Sequence, residues 1–207
     1  MEMSKMEASG SPVQPINIPI KEVLRYLGYR GAEPEEKVSA LIKEISAAFL
    51  ETIVPKSVYG IWDCRIDSQA VTINDLTIHS EKLAKHLAKC RHAALMAATL
   101  GTEADTMIRR YSVQNMEKAV IAQAVSAVMI DAYCDKVADE IAQAGELSGL
   151  TPTIRFSPGY GDFDIAHQKD IVKLLNCGVK IGLALTSGYM LVPSKSVTAV
   201  IGYKEFE

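Results

Sequence analysis

The segment IRFSPGYGDFD, residues 154–164, combines side chains that fix backbone shape with side chains that carry charge. Arg155 offers a planar fork of donors that suits a carboxylate or a phosphate. Pro158 stiffens the following turn, and Gly159 permits a positive φ or a close approach of a ligand to the backbone. Tyr160 adds a flat apolar face with a hydroxyl at its rim. The set matches a ligand with a carboxylate and an aromatic ring; a structural turn with Arg155 paired to a surface acid is the open alternative.

Other chemistries have less support in this segment. Gly159 and Gly161 form a GxG, but position 164 is aspartate and no βαβ pattern surrounds the pair, so the dinucleotide fingerprint is incomplete. Asp162 and Asp164 could form a carboxylate pair, although such residues in a loop are more often solvated turn residues. The sequence contains no GxSxG, HExxH or GxxxxGKS/T motif, which removes support for common hydrolase and P-loop chemistries.

Charge and hydropathy exclude several classes of partner. The chain is 48% hydrophobic and 23% charged, with a net charge of −3, which argues against a nucleic-acid partner. The apolar run 119–130 is too short to span a bilayer, so no membrane partner is expected. Residues 1–15 lack the apolar core of a secretory signal. We therefore expect a cytoplasmic protein with a flexible tail at 1–15 and a single domain at 16–207.

Cysteine and histidine spacing predicts no metal site. The cysteines do not form a CxxC pair and are expected to be reduced and buried as small apolar residues; they are Cys64, Cys90, Cys134 and Cys177. His86, Cys90 and His92 lie close together in sequence, but no second pair of ligands follows at the usual spacing. No catalytic nucleophile is predicted either.

The first half of the chain mixes helical and strand patterns. One short helix ends near Gly28, and a second follows Pro34, which suits a first turn, with an apolar face formed by Val38, Leu41, Ile42, Ile45 and Phe49. Residues 57–67 and 70–78 predict a β-hairpin joined by the turn DSQ. Ser80 caps a predicted helix over 81–90. The apolar segment 92–101 fits either a helix, which its alanines favour, or a buried strand, and a strand is preferred because a two-stranded hairpin needs further neighbours to be stable.

The second half predicts long helices and then a sheet segment. Residues 102–145 are helical with a break at 111–116, and 153–164 is a strand running into a loop. A helix over 165–176, stopped by Asn176 and Gly178, would turn inward Ile165, Ile171, Val172, Leu174 and Leu175. Two apolar segments follow around the turn PSKS. Because helices and strands do not alternate strictly, the pattern favours an α+β fold with a mixed or antiparallel sheet.

The motifs together resemble a known family. RFSPGYGDF, which contains R-x-x-x-G-Y, and the downstream LALTSGYMLVPSKSVTAVIG are similar to the activation domain of cobalamin-dependent methionine synthase. EVLRYLGYRG, LAKHLAKC, AATLGTEADTMIRRYS and MIDAYCDKVADEI fit the same family in order. The resemblance covers nearly the whole chain after about residue 18 and is to the free-standing form of the domain. It implies an α+β fold with a twisted, mostly antiparallel sheet and long helices.

The resemblance also implies a bound ligand, S-adenosylmethionine, and its site. Arg155 would hold the methionine carboxylate, and Asp131 would offset the sulfonium charge or bind the amine, an exposed helix acid being the alternative for Asp131. The remaining implied contacts come from the loop, with backbone groups positioning the nucleoside: Phe156, Ser157, Pro158, Gly159 and Tyr160.

The implied role is reactivation rather than the whole synthase reaction. A partner synthase lacking its own activation domain would carry the cobalamin, and a flavodoxin- or ferredoxin-like donor would supply one electron while S-adenosylmethionine supplies the methyl group. The chain lacks D-x-H-x-x-G and an adjacent cysteine pair, so it is not expected to catalyse the complete reaction. It departs from the family at GDFDIA and at 199–202. A ligand-free assembly module, or an activator of another corrinoid methyltransferase, is therefore the alternative.

Overall fold

The computed structural model describes residues 5–9, 16–31, 33–146 and 149–205. The strands are β1 (Lys5–Ser9), β2 (Lys56–Ile66), β3 (Ala70–Ile73), β4 (Leu76–His79), β5 (Cys90–Thr99), β6 (Leu150–Pro152), β7 (Ala184–Leu185), β8 (Leu191–Val192) and β9 (Ser196–Glu205). The helices are α1 (Ile20–Tyr26), α2 (Glu36–Thr52), α3 (Glu81–His86), α4 (Thr102–Gln114), α5 (Met116–Glu146), α6 (Gln168–Leu174) and α7 (Cys177–Ile181), with a 3-10 turn at Ile165–His167.

One antiparallel sheet organises the molecule. Its strands follow the order β4-β3-β2-β5-β9-β6, and β1 pairs with β2 as a further member. The long strands β2, β5 and β9 lie side by side in the middle, with pairings that run from Lys56–Thr99 to Asp63–His92 between β2 and β5. β7 and β8 form a separate two-stranded hairpin. The predicted α+β fold with a mostly antiparallel sheet is confirmed.

Both faces of the sheet are covered, so the molecule has three layers. On β5, Ala94 and Met96 face a core shared with α1, α2, α4 and α5, whereas Ala93 and Leu95 face a core shared with α3, α6 and α7. A strand buried on both faces carries a continuous apolar run without polar alternation. This explains why HAALMAAT forms a strand although its alanines favour helix.

α5 is the longest of the described helices, with 31 residues, and it is fixed to the sheet by two buried tyrosines. The Tyr133 hydroxyl lies 3.1 Å from the Ser57 Oγ on β2, and the Tyr203 hydroxyl of β9 donates to the Ile141 carbonyl at 2.7 Å. A buried hydroxyl with a partner avoids the cost of an unsatisfied polar group. These bonds fix the orientation of the solvent-facing side of α5.

Several elements follow the sequence prediction closely. α1 ends just before Gly28, α2 turns Ile42, Ile45 and Phe49 into the core, and the break between α4 and α5 falls at Asn115. The Ser80 side chain caps α3 by accepting from the Leu83 amide at 3.0 Å.

Other boundaries differ from the prediction in the first half of the chain. α2 begins at Glu36, so Pro34 precedes it rather than lying in its first turn. The predicted second arm of the hairpin is two strands, β3 and β4, because Asn74 adopts a left-handed conformation and reverses the chain. α3 ends at His86, and Cys90 belongs to β5. Lys5–Ser9 forms a strand within the predicted tail, whose remaining residues lie outside the described ranges.

The second half also contains corrections. β6 ends at Pro152, so Arg155 lies in a loop rather than at the end of a strand. Ile165 is 39% exposed because it lies in a 3-10 turn before α6, not in the amphipathic helix. Gly178 lies inside α7, and the helical segment ends at Gly182, which has a positive φ of 69°. The first of the two apolar segments around PSKS forms the β7–β8 hairpin rather than one strand.

Candidate ligand-binding site

A charged cavity, which we name the central cavity, lies between α5 and the segment that follows β6. Its volume is about 610 Å³, within the range of about 300–1,000 Å³ typical of small-molecule sites. Its walls are formed by Asp131, Asp135, Ala138, Asp139, Ala142, Pro152, Thr153, Ile154, Arg155, Ser157, Tyr160 and Val197. Two of the predicted site elements, Arg155 with its loop and Asp131, therefore meet in one place.

α5 contributes three carboxylates to the central cavity. Asp131, Asp135 and Asp139 follow one another at intervals of four residues, which places them on one face of a helix. Asp131 is half-buried, whereas Asp135 and Asp139 are exposed. With Arg155 as the cavity's cation, the lining has a net negative charge and favours a ligand with an excess of positive charge.

Arg155 lines the central cavity and pairs with a residue of α5. Its side chain is 24% exposed, and its Nη2 donates to the Asp135 Oδ1 at 2.6 Å. Burial raises the pKa of the neighbouring Cys134 thiol to about 12, although the Arg155 guanidinium acts in the opposite direction. The acid paired with Arg155 is thus a lining residue of the cavity, and the guanidinium is not turned out to bulk solvent.

The loop after Arg155 is held in a tight turn by its own backbone. The Gly159 amide donates to the Phe163 carbonyl at 2.7 Å, and the Phe163 amide donates to the Tyr160 carbonyl at 3.0 Å. Gly159 has a φ of 94° and Gly161 a φ of 64°, values that favour glycine. At Gly161 a Cβ would also lie 2.3 Å from the Lys82 side chain. The two glycines are therefore required by the turn itself.

β9 holds the beginning of the same loop. The amide and carbonyl of Phe156 bond to the carbonyl and amide of Val200, at 2.9 and 2.8 Å. The backbone of Phe156 is thereby already engaged, and its half-buried ring supports the loop. Ser157 and Tyr160 line the central cavity, whereas Pro158 lines a neighbouring cavity together with Met190.

Aromatic rings pack beneath the loop. Phe163 is 1% exposed and stacks on Phe156 at 6.3 Å between ring centres. Phe156 also contacts Tyr160 at 6.0 Å and His86 at 5.2 Å. The His86 Nε2 lies 2.9 Å from the Ile154 carbonyl oxygen, next to Arg155 in the chain. These contacts fix the loop on which Arg155 and Tyr160 are displayed.

Asp162 and Asp164 do not form a carboxylate pair, because each caps a different segment. Asp162 accepts from the Ser80 hydroxyl at 2.5 Å and from the Glu81 amide at 2.9 Å at the start of α3. Asp164 accepts from the Ala166 amide at 2.8 Å and caps the 3-10 turn. The bond from Ser80 and those from backbone amides lower the pKa of Asp162. Both acids are therefore structural residues of the loop.

We expect Asp162→Asn to lower the midpoint of thermal unfolding at neutral pH, because the amide cannot accept these bonds as a charged group. A carboxylate with a lowered folded-state pKa stabilises the fold above the unfolded-state pKa, near 3.8, and loses that contribution as pH falls through the folded-state value. Melting curves recorded from neutral pH downwards should therefore converge for the variant and the wild type in acid. Asp75→Asn in the β3–β4 turn is the matched control, and equal melting of the two variants at neutral pH would contradict the prediction.

A second cavity, which we name the α1-side cavity, adjoins the first. Its volume is about 530 Å³, and it shares Asp131, Asp135 and Arg155 with the central cavity. Tyr26 of α1 forms part of its wall, and its hydroxyl donates to the Asp131 Oδ2 at 2.6 Å. The hydrogen bond to Asp131 raises the pKa of Tyr26 to about 12. The two cavities therefore form one polar region that extends from the loop after Arg155 to α1.

The structure adds residues that sequence reasoning missed. Asp135 and Asp139 were detectable, since both repeat the position of Asp131 at intervals of four along a predicted helix. Tyr26 and His86 had no such signal, because their contacts with Asp131 and Ile154 join parts of the chain that are far apart in sequence. The four cysteines are buried and unpaired, as predicted.

Neither a cluster of metal ligands nor a membrane-spanning helix occurs within the described ranges. Within the described ranges, His, Cys, Asp and Glu side chains form no group of three or more that could hold a metal ion. In that part of the chain, no helix combines the length and the apolarity needed to cross a membrane.

These features define an α+β domain with helices on both faces of an antiparallel sheet and a charged cavity against its longest helix. Residues 79–205, more than half of the chain, match the family model of the vitamin B12 dependent methionine synthase activation domain. The chain belongs to this family.

A solved structure has the same fold. The crystal structure of the MetH reactivation domain bound to AdoHcy superposes with a TM-score of 0.67 at 14% sequence identity, covering 96% of this chain and 78% of that one. At this identity the similarity concerns the fold alone. Among curated proteins, no match to this chain was found.

Proposed function

We propose that this domain binds S-adenosylmethionine in the central cavity and delivers its methyl group for the reductive methylation of a cobalamin carried by a methionine synthase. The family is that of the synthase's activation domain, and the similar MetH domain was crystallised with AdoHcy. The observation that supports this proposal is that Arg155 and the three α5 carboxylates line one cavity of about 610 Å³, in which Arg155 pairs with Asp135.

The lining of the cavity fits the charges of this ligand. S-adenosylmethionine carries one carboxylate and two cationic centres, an ammonium and a sulfonium. Arg155 can bind the carboxylate through its guanidinium fork, and Asp131 and Asp139 can face the cationic centres. The exposed ring of Tyr160 offers an apolar face to the adenine at the cavity's edge. The charges of the ligand and of its site are thus complementary.

The cobalamin of the partner protein would be the substrate. One electron would reduce its cobalt(II) to cobalt(I), which would take the methyl group as the methyl C–S bond breaks and S-adenosylhomocysteine leaves. The residues of this chain hold the donor and orient its methyl group towards the open side of the cavity. Because Arg155 and the α5 acids would contact the carboxylate, the ammonium and the sulfonium rather than the methyl group itself, the methyl carbon stays accessible to an incoming nucleophile. The chain would act as a separate subunit, and a flavodoxin- or ferredoxin-like protein would provide the electron.

Two measurements test the proposal. Calorimetric titration of the purified chain with S-adenosylmethionine should show one binding site. Addition of the chain, reductant and S-adenosylmethionine to a methionine synthase without its activation domain, inactivated as cob(II)alamin, should restore activity and the absorption spectrum of methylcobalamin. Lack of binding would favour a ligand-free assembly module. Binding without reactivation of the synthase, but with reactivation of a different corrinoid protein, would favour an activator of another methyltransferase.

A further inference from the structure

We propose that Tyr26 is a positioning residue of the ligand site and acts by fixing the carboxylate of Asp131. The inference rests on the proposed function and adds α1 to the site. Tyr26 lies outside residues 79–205, the part of the chain that matches the family model. The observation behind it is the bond of 2.6 Å from the Tyr26 hydroxyl to the Asp131 Oδ2, which joins α1 to α5 where both line the α1-side cavity.

The tyrosine itself is held in place on α1. Val23 is fully buried and fixes the helix against the core. The Arg25 guanidinium carbon lies 5.3 Å from the centre of the Tyr26 ring, and the Arg25 Nε donates to the Glu22 Oε2 at 2.8 Å. A cation over the face of an aromatic ring is attracted to it, so the Glu22–Arg25 pair limits the movement of the ring.

The direction of the bond matters for what Asp131 can do. The pKa of the Tyr26 hydroxyl is raised to about 12, so the phenol keeps its proton and remains a hydrogen-bond donor at neutral pH. It therefore occupies one oxygen of Asp131 without neutralising the carboxylate, and the second oxygen is the one we assign to the ligand. Asp131 borders both the central and the α1-side cavity. Without the hydroxyl, its carboxylate would be free to turn towards either cavity.

Fixing Asp131 would lower the entropy lost when a cationic group binds. A fixed Asp131 carboxylate therefore strengthens the binding only of ligands that carry a cationic group. S-adenosylmethionine has an ammonium and a sulfonium, whereas 5′-methylthioadenosine has the same nucleoside with neither charge. The contribution of Tyr26 should therefore be present with the first ligand and absent with the second.

The test compares the affinities of Tyr26→Phe and wild-type protein for both ligands by calorimetric titration. We expect the variant to bind S-adenosylmethionine about three- to tenfold more weakly, the effect of a partly exposed hydrogen bond to a charged group. Its affinity for 5′-methylthioadenosine should not change. Tyr29→Phe, which removes a hydroxyl three residues further on, is the matched control and should bind both ligands as the wild type does.

A double-mutant cycle with Asp131→Asn separates positioning from general loosening of α1. If Tyr26 acts through Asp131, adding Tyr26→Phe to Asp131→Asn should cause no further loss. Additive losses, equal losses for both ligands, or an unchanged affinity of Tyr26→Phe for S-adenosylmethionine would overturn the inference. Wild-type protein that binds neither ligand would overturn the proposed function as well, so the two failures are distinguishable.

Discussion

Replacing Arg155 with alanine is expected to weaken S-adenosylmethionine binding about thirtyfold or more, because loss of one partner of a charged hydrogen-bonded pair costs about 2 kcal/mol. The guanidinium is the cation of the central cavity that faces the α5 carboxylates, and its side chain is only 24% exposed. Without it, the ligand carboxylate would enter a negatively charged cavity. Calorimetric titration of the wild type and the variant measures the effect. Arg155→Lys keeps the charge but loses the planar fork, so its affinity for S-adenosylmethionine should lie between those of the wild type and the alanine variant.

Asp135→Asn tests whether the effect of Arg155 belongs to the ligand or to the fold. This variant removes the charge of the same ion pair from its other side, and it thereby weakens the 2.6 Å bond that occupies Nη2 of the guanidinium. The Asp135 side chain is 69% exposed, so solvent screens the pair, and it contributes at most about 1 kcal/mol. Release of Arg155 should therefore raise the affinity for S-adenosylmethionine by up to about fivefold. If both variants lost affinity equally, the ion pair itself would be the important feature, and the assignment of Arg155 to the ligand carboxylate would be wrong.

The sequence predicts the structural features that depend on neighbouring residues better than those that depend on residues far apart in the chain. Helix ends governed by local chemistry, such as the Ser80 cap of α3 and the end of α1 before Gly28, were predictable from neighbouring residues. The end of α3 at His86 was not, since Cys90 is drawn into β5 by pairing with β9, whose residues lie more than a hundred positions away. Tertiary pairing decided that boundary.

The same distinction applies to the site. The chemical character of Arg155, Gly159 and Tyr160 is visible in one short segment, and the resemblance to the family gave Asp131 a role. The contacts of the site come from distant parts of the chain: Asp135 of α5 pairs with Arg155, and Tyr26 of α1 bonds to Asp131. Val200 of β9 bonds to the backbone of Phe156 in the loop. A single sequence contains no signal for such contacts, because they depend on how the helices pack against the sheet.

Phe163→Ala is expected to lower the free energy of unfolding by about 3–5 kcal/mol, the usual cost of truncating a buried phenylalanine. Phe163 is 1% exposed and stacks on Phe156, and its carbonyl accepts the bond from Gly159 that closes the loop. The cavity left behind would also remove the support of the segment that carries Arg155. We therefore expect a weaker affinity for S-adenosylmethionine in the folded fraction, in addition to a lower denaturant midpoint at an unchanged slope.

Phe49→Ala is the matched control for this prediction. Phe49 is fully buried in the core on the opposite face of the sheet, against α5, and takes no part in the loop. Both variants should lose similar stability in urea unfolding, but only Phe163→Ala should lose affinity when titrated under conditions in which both remain folded. Should Phe163→Ala leave too little folded protein, Phe163→Leu gives the same comparison with a smaller cavity. Equal ligand affinities of the two alanine variants would show that the aromatic rings packed beneath the loop support the fold without positioning Arg155.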